Sequence, residues 1–327
     1  MKKRVLKTFA LFLVVLIMCA AASCESQSPK DETAIRLGAL KGATMIGLVK
    51  LLADADAGES SNTYEYTLAG SADELTPLLL QGKIDIAAIP INLASVLYNK
   101  SEGALQFAAI NTLGVLYITE NGDTLENFSD LKGKTIYATG KGSVPEYSLR
   151  YLLSANGIDP DEDITLEFRG EPTEVAALMA TTENIIAMLP EPFVSVAGSQ
   201  VDNFRVAFDL TEEWEKLNNG SMLITAGIVV RREFAEQHPE VLAEFLKEYK
   251  ASAQYANTNP AECAELVENY GIIKAAVAQK AIPNCSIVFI DGEEMKTAAD
   301  NYLKILFEMN PASVGGSVPD EDFYYVK

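Results

Sequence analysis

The sequence has few histidines and cysteines, two residue types that often carry enzyme chemistry or hold metal ions. Its 327 residues include one histidine, one tryptophan and four cysteines. Beyond Cys24 only Cys263 and Cys285 remain, and their spacing fits no zinc motif. His238 precedes Pro239 at a predicted helix start, where a surface or capping role is expected. We therefore predict no catalytic residue, no metal and no cofactor. Whether Cys263 and Cys285 form a disulfide or stay as buried thiols is left open.

Positive charge is also scarce. The chain has 26 Lys and Arg against 46 Asp and Glu, which gives a formal net charge of −20. A surface this acidic repels phosphate backbones and anionic lipid headgroups. The composition therefore argues strongly against nucleic acid and anionic membrane surfaces as partners.

Long apolar runs are absent except near the N-terminus. There, four basic residues among the first seven precede an apolar stretch at residues 9–22, and small residues then lead to Cys24. This order is typical of a bacterial secretion signal, and the cysteine at the cleavage point resembles a lipobox. We predict a signal peptide at residues 1–23, lipidation of Cys24 and a polar tether at residues 24–32. Ordinary cleavage and an uncleaved anchor are the alternatives.

A glycine-rich turn, GKGSVPEY at residues 140–147, looks like part of a phosphate-binding loop. A Walker loop requires Gly, four residues, and then Gly-Lys-Ser/Thr. Here Gly142 follows Lys141, and Thr135 stands where the first glycine belongs. The dinucleotide fingerprint fails as well, because Pro145 takes the place of its third glycine. The spacing excludes both nucleotide motifs at this turn.

Strand-like and helix-like segments alternate along the chain, with long helices expected at residues 44–57 and 233–256, which predicts an α/β architecture with parallel strands. Aligning the chain with itself at an offset of 100 pairs residues 35–96 with residues 135–196, with 12 identities in 62 positions. Gly42 pairs with Gly142, so the turns keep their register along with the strands and helices. We interpret the pattern as a structural duplication into two lobes.

The duplication gives the GKGSVPEY turn a counterpart, LKGATMIG at residues 40–47. Each turn follows the first predicted strand of its lobe and begins a helix. Parallel sheets bind ligands at the carboxyl ends of their strands, and helix N-termini favour anions or strong acceptors. Two such turns facing each other predict a ligand cleft between the lobes.

Several segments resemble the substrate-binding proteins of bacterial ABC importers, in the group that binds sulfonates, taurine, nitrate and thiamine precursors. Besides the lipobox cysteine and the first turn, they are GKIDIAAIPIN (82–92), DLKGKTIYATGKGSVPEY (130–147), LPEPF (189–193) and VVRREFAEQHPEVLAEFLKEYKAS (229–252). The resemblance covers nearly the whole mature chain. It implies an α/β fold of the type II periplasmic-binding-protein class, with two lobes, each a mainly parallel sheet flanked by helices, and the ligand cleft between them.

The resemblance also implies a domain organisation and a role. Lobe I would comprise residues 33–117 plus 229–327, and lobe II residues 118–228. The protein would be a monomeric extracytoplasmic receptor, attached to the membrane only by its lipid. It would close around a small-molecule solute and deliver it to a cognate ABC permease. No enzyme activity, cofactor, metal or nucleic-acid partner is implied.

The predicted ligand contacts lie in the two first turns and at the ends of neighbouring strands. In lobe I they are Lys41, Gly42, Ala43, Thr44, Met45, Ser71, Pro90, Asn92, Asn111 and Thr112, and in lobe II they are Gly142, Ser143, Val144, Pro145, Glu191 and Trp214. Glycine allows close backbone approach, and Thr44 and Ser143 either cap their helices or donate to a ligand oxygen. Trp214 is expected either to stack on a planar ligand at the cleft mouth or to cover a helix.

The charge of the ligand stays open on this reasoning. Lys41, Lys141 and the helix N-termini favour a sulfonate, carboxylate or similar anion. Glu191, held between two prolines, either binds an amine or ring nitrogen or stabilises the helix that follows it. We expect a small organic molecule with an anionic end, ahead of a pyrimidine.

Two other classes of protein are alternatives. Some enzymes are built on this two-lobed fold, although the scarcity of histidine and cysteine argues against chemistry here. A Schiff base on Lys41 or Lys141 would favour the enzyme alternative. The other alternative is an interaction or sensor lipoprotein that holds no ligand.

Overall fold

The strands form two sheets in the computed structural model, which describes residues 33–326. Sheet A contains β1 (Ile35–Leu40), β2 (Tyr64–Ala69), β3 (Ile86–Pro90), β4 (Leu105–Leu113), β10 (Ile224–Arg231) and β11 (Ile287–Ile290). Sheet B contains β5 (Leu116–Asn121), β6 (Thr135–Ala138), β7 (Thr165–Phe168), β8 (Ile186–Pro190) and β9 (Phe204–Asp209). Their strand orders are β11-β4-β10-β3-β1-β2 and β7-β6-β8-β5-β9. Lobe I is the part built on sheet A, and lobe II is the part built on sheet B.

Helices connect the strands and cover the sheets. They are α1 (Ala43–Ile46), α2 (Val49–Asp56), α3 (Ala72–Leu80), α4 (Ile91–Lys100), α5 (Val144–Ala155), α6 (Pro172–Thr181), α7 (Phe193–Gly198), α8 (Leu210–Lys216), α9 (Arg232–Gln237), α10 (Pro239–Thr258), α11 (Pro260–Asn269), α12 (Ala275–Ala281) and α13 (Gly292–Met309). Short 3₁₀ helices lie at Phe128–Leu131, Ile282–Asn284, Pro311–Val314 and Glu321–Phe323. The predicted two-lobed α/β architecture is confirmed.

Both sheets are mixed, although mainly parallel sheets were expected. The trios β2-β1-β3 and β7-β6-β8 are parallel, and the remaining pairs are antiparallel. The strand beside each trio, β10 in sheet A and β5 in sheet B, enters from the opposite lobe. β5 follows β4 across Gly114 and Val115, and β10 follows α8. A strand that crosses between lobes runs against its new neighbours, which is why neither sheet is mainly parallel.

The predicted duplication is confirmed by the order and spacing of the elements. β3 at Ile86–Pro90 and β8 at Ile186–Pro190 are separated by 100 residues, and α3 and α6 begin at Ala72 and Pro172. β3 is buried along its whole length, as is β8 except at its last residue. Strands buried on both faces are continuously apolar, which explains why these two runs match well in the self-alignment.

Two long predicted helices are each divided in the structure. The segment predicted as one helix at residues 44–57 forms α1 and α2, with a break at Gly47 and Leu48. The helix predicted after Glu233 is divided at His238 into α9 and α10. Pro239 has no amide hydrogen and a fixed φ, so it suits the first turn of a new helix rather than the interior of a continuing one.

The C-terminal part of the chain packs its aromatic rings on lobe I. The Phe323 ring lies 5.6 Å from that of Phe107 and 5.2 Å from that of Tyr98. α13 also reaches lobe II, where the Tyr302 hydroxyl lies 2.9 Å from the Ser148 hydroxyl. The boundaries proposed at residues 117/118 and 228/229 stay a prediction.

Cys263 and Cys285 are both free and buried. The signal peptide, Cys24 and the tether lie outside the described residues. Between residues 33 and 326, none of the helices is long and apolar enough to cross a membrane.

Candidate functional site

A cavity of about 260 Å³ lies where the turns after β1, β2 and β3 in lobe I meet the turns after β6, β7 and β8 in lobe II. The Glu171 side chain of lobe II lies against Gly70 of lobe I, where a Cβ atom would be 2.2 Å from the Glu171 Oε1. The absence of a side chain at residue 70 lets the lobes approach here. The cavity therefore sits at the carboxyl ends of parallel strands, which is where α/β sheets bind ligands.

Many of the predicted contacts come together in the wall of this cavity. Those that line it are Lys41, Gly42, Ala43, Thr44, Ser71, Pro90, Thr112, Ser143, Pro145 and Glu191. They come from both halves of the duplication and from the strand ends that the sequence indicated. The structure therefore places the two first turns on one shared cavity.

Six predicted contacts lie outside the cavity wall, and Trp214 is the sixth. Met45 in α1 and Val144 at the first position of α5 are fully buried in the hydrophobic core. Asn92 and Asn111 are also fully buried behind the wall. Gly142 has φ of +71°, and its carbonyl accepts a hydrogen bond from Asn92.

Trp214 does not lie at the mouth of the cleft, so the alternative that it stacks on a ligand there is wrong. Its side chain is 1% exposed and packs against the rings of Tyr151 at 4.8 Å and Tyr302 at 5.4 Å. The indole N–H donates to the Ser221 carbonyl. α8 is amphipathic, and its largest apolar side chain is buried where α5 and α13 meet it.

The hydroxyl groups around the cavity fall into two classes. Three hydroxyls already donate a hydrogen bond within the protein. The Thr44 hydroxyl donates to the Leu40 carbonyl at 2.8 Å. The Ser71 hydroxyl donates to Glu74 at 3.3 Å, and the Thr112 hydroxyl donates to Asn111 at 3.2 Å. In contrast, Thr139 and Ser143 are 6% and 5% exposed and have no side-chain partner among residues 33–326. Both line the cavity, so each has a hydrogen left to donate to a ligand.

Three basic side chains also line the cavity: Lys41, Lys141 and Arg169. Within the described part of the chain, neither lysine forms an ion pair. Arg169 lies 5.2 Å from the Tyr137 ring centroid, donates to the Phe168 carbonyl and forms an ion pair with Glu167 at 3.6 Å, which still leaves donors on its guanidinium. Lys41 comes from lobe I and the other two come from lobe II, so closure brings positive charge in from both sides.

The backbone amides of several turns at the cleft are already occupied. Glu74 accepts from the amides of Gly70 and Ser71, both at 3.1 Å. Glu174 accepts from the Gly170 amide at 3.1 Å, in the equivalent position of lobe II. Glu146 accepts in the same way from the Gly142 amide at 2.7 Å. These glutamates satisfy amides at the N-cap or at the residue before it, so those particular amides are not available to a ligand.

Glu191 places a buried carboxylate in the cavity wall. It is 3% exposed and accepts from the Ser195 amide at 3.1 Å and the Ser195 hydroxyl at 2.9 Å. Burial raises the pKa of Glu191, and hydrogen bonds from Ser195 and Asn284 oppose the rise. No lysine or arginine of the described chain forms an ion pair with it.

The raised pKa predicts how Glu191→Gln changes stability with pH. Because the folded state holds the Glu191 proton above its ordinary pKa of 4.5, this group stabilises the fold below pH 4.5. That stability is lost as the pH rises through the raised pKa. We therefore expect the parent protein to lose stability relative to Glu191→Gln as the pH is raised from 4 to 7. Urea unfolding across this range, with exposed Glu59→Gln as control, measures the difference; parallel profiles would contradict it.

Sequence reasoning missed some of the residues that line the cavity. Thr139 directly follows β6, and Arg169 directly follows β7. Both positions are carboxyl ends of parallel strands, so the rule that located Pro90 and Glu191 would have found them too. Phe193, at the start of α7, adds an apolar face to the wall.

No metal site accompanies this cavity in the part of the chain that the structure describes, since no group of three or more His, Cys, Asp or Glu side chains there could hold an ion. The donors that face the cavity are hydroxyl, ammonium and guanidinium groups. They suit a ligand rich in hydrogen-bond acceptors.

The sequence of residues 55–281 matches the family described as the periplasmic substrate-binding proteins of phosphonate ABC transporters. The chain belongs to this family. Members of this family are the extracytoplasmic binding components of ABC importers, and this places the cavity in a solute receptor. We found no match among curated protein sequences.

Solved structures of other members of the ABC importer group share the fold. An ABC transporter protein from Parabacteroides distasonis is 25% identical, with a TM-score of 0.74, over 90% of this chain and 99% of that one. The periplasmic aliphatic sulphonate binding protein of Escherichia coli is 18% identical, with a TM-score of 0.68, over 90% and 96%. The periplasmic nitrate-binding protein of Synechocystis PCC 6803 is 14% identical, with a TM-score of 0.65, over 86% and 83%. The type II periplasmic-binding-protein fold is confirmed.

Proposed function

We propose that this importer receptor binds a small organic anion, of the sulfonate or phosphonate type, in the cavity between its lobes. The observation that carries the proposal is the pair of hydroxyls on Thr139 and Ser143, two mostly buried residues that line the cavity and have no side-chain partner among the described residues. Each hydroxyl has a hydrogen to donate, and a bond from a hydroxyl to a charged oxygen is stronger than one to a neutral acceptor, so an anionic ligand in the cavity would be stabilised here.

The basic residues support the same ligand class. Lys41, Lys141 and Arg169 add positive charge around the two hydroxyls. Hydrogen bonds from charged or hydroxyl donors to an anion are shorter and stronger than neutral ones. The aliphatic sulphonate and nitrate binding proteins, which share the fold, bind anions by name.

Glu191 favours a second ligand class, an organic molecule that carries an amine or ring N–H. Its buried carboxylate faces the cavity and has no basic partner in the described chain. A ligand with both an anionic end and an amino group would satisfy Glu191 and the hydroxyls together. A neutral amino-pyrimidine would satisfy Glu191 alone.

The proposal also covers how the receptor works, how it is attached to the cell and what it docks on. The protein acts by binding and release without chemistry, as a monomer that docks on a cognate permease. Cys24 carries the lipid that attaches it to the outer face of the cell membrane. Closure of the two lobes around the solute generates the shape that the permease recognises.

Calorimetry with matched probes tests the ligand class. We expect the purified protein to bind ethanesulfonate and ethylphosphonate and to reject dimethyl sulfone, which has the sulfonyl oxygens but no charge. If 2-aminoethanesulfonate binds more tightly than ethanesulfonate, and Glu191→Gln removes the difference, the amino group contacts Glu191. Binding of dimethyl sulfone as tight as that of ethanesulfonate would contradict an anion site.

A further inference from the structure

Asn92 joins the two lobes immediately behind the cavity. It is the second residue of α4 in lobe I, and its side chain is fully buried. Its Nδ2 donates to the Gly142 carbonyl of lobe II at 3.2 Å and to the Ser313 carbonyl at 3.1 Å. One side-chain amide therefore connects the glycine-rich turn of lobe II to both α4 and the C-terminal segment.

We infer that Asn92 is a positioning residue for ligand binding, which acts by fixing the turn at residues 139–143 from across the cleft. That turn carries both of the unpartnered hydroxyls, on Thr139 and Ser143. The inference rests on the proposed function, because the turn matters for binding only if those hydroxyls contact the ligand.

Hydrogen bonds inside lobe II hold the rest of the turn. The Gly142 amide donates to Glu146 at 2.7 Å, and the Ser143 amide donates to the Gly140 carbonyl at 3.0 Å. The Gly142 carbonyl is the group that reaches outside lobe II, and Asn92 is its partner. Loss of this bond frees the turn to rotate about Gly142, whose φ of +71° few other residues adopt. Small misplacement of binding groups is enough to weaken a ligand contact.

The side-chain amide of Asn92 acts only through its NH₂ group, because its oxygen makes no hydrogen bond within residues 33–326. Its Oδ1 is buried and has no hydrogen-bond partner among the described residues. The contribution of this side chain therefore lies in its two donated bonds. An aspartate has the same shape but cannot donate when ionised, so it separates donation from packing.

Asn99 provides a matched control on the same helix. Its Nδ2 donates to the carbonyls of Val314 and Ser317, both at 2.8 Å. Asn99 thus ties α4 to the same C-terminal segment by two bonds, but it makes none to lobe II. Removing its amide should cost similar packing and stability without disturbing the turn.

The test combines hydrogen exchange with binding for Asn92→Ala, Asn92→Asp and Asn99→Ala. In the ligand-free protein, we expect faster amide exchange at residues 139–147 in both Asn92 variants and unchanged exchange there in Asn99→Ala. Affinity for ethanesulfonate should fall by about 3- to 10-fold in Asn92→Ala, the loss expected for one hydrogen bond. In Asn92→Asp the affinity for ethanesulfonate should recover in part as the pH is lowered, because a protonated carboxyl group can donate a hydrogen bond.

The inference is overturned if exchange at residues 139–147 is the same in Asn92→Ala and the parent, or if Asn99→Ala reproduces both effects. It is also overturned if exchange rises and affinity does not change. If the parent protein binds none of the sulfonate or phosphonate probes, the proposed function fails. Exchange in the ligand-free variants then still decides whether Asn92 fixes the turn.

Discussion

Ser143→Ala is expected to weaken binding of ethanesulfonate by about 10- to 100-fold and to leave the stability of the protein unchanged. A hydrogen bond to a charged group contributes about 1.5–3 kcal/mol, which corresponds to this range of affinities. Ser143 precedes α5, where a serine usually caps the helix, and losing such a cap costs about 1 kcal/mol. Its side chain makes no cap bond here, so only binding should suffer. Calorimetry and urea unfolding measure the two quantities.

Ser148→Ala on the same helix should show the opposite behaviour. Its hydroxyl is fully buried and lies 2.9 Å from the Tyr302 hydroxyl, away from the cavity. We expect a loss of about 1 kcal/mol in the free energy of unfolding and no change in affinity. If Ser143→Ala lowers stability instead and binds as the parent does, the Ser143 hydroxyl has no part in the ligand site.

Gly227→Ala is expected to destabilise the fold strongly. Gly227 lies in β10, between β3 and β4. A Cβ atom there would lie 2.2 Å from the Phe107 ring and 2.4 Å from the Ala109 carbonyl oxygen. The backbone oxygen cannot move away, and Phe107 is fixed by the stacked ring of Phe323. We expect a loss of about 3 kcal/mol, the upper part of the range for overpacked cores.

Gly122→Ala is the control for this second prediction. The nearest atom to a Cβ at Gly122 lies 3.6 Å away, which is ordinary contact. Its stability should therefore change by no more than about 0.5 kcal/mol. Denaturant unfolding measures both variants, and equal midpoints for Gly227→Ala and the parent would show that β10 and β4 are less closely packed than described.

The organisation of the cavity could be predicted because it depends on chain order. The offset of 100 residues brings Lys41 and Ser143 to equivalent turns, and strand ends of one parallel trio must meet at one edge. The pairing of Gly70 with Glu74, and of Gly170 with Glu174, was also present as a local pattern. A glutamate at that spacing can satisfy the amide of the glycine itself, so that amide is not available to a ligand.

The direction of individual side chains could not be predicted, because it depends on contacts distant in sequence. Asn92 turns toward Gly142 and Ser313, which lie 50 and 221 positions away. Trp214 is buried by Tyr302 of α13, and no local signal in its own helix indicates that partner. The crossing strands β5 and β10 have the composition of ordinary buried strands, so their antiparallel pairing was not visible either.

The central claim is that an organic anion binds between the lobes beside Thr139 and Ser143, and a crystal structure with 2-bromoethanesulfonate tests it most directly. The account predicts a bromine anomalous peak inside the cavity, with the sulfonate oxygens within hydrogen-bond distance of both hydroxyls. If calorimetry shows binding and the peak lies elsewhere, or if the sulfonate in the cavity contacts neither hydroxyl, the account is contradicted.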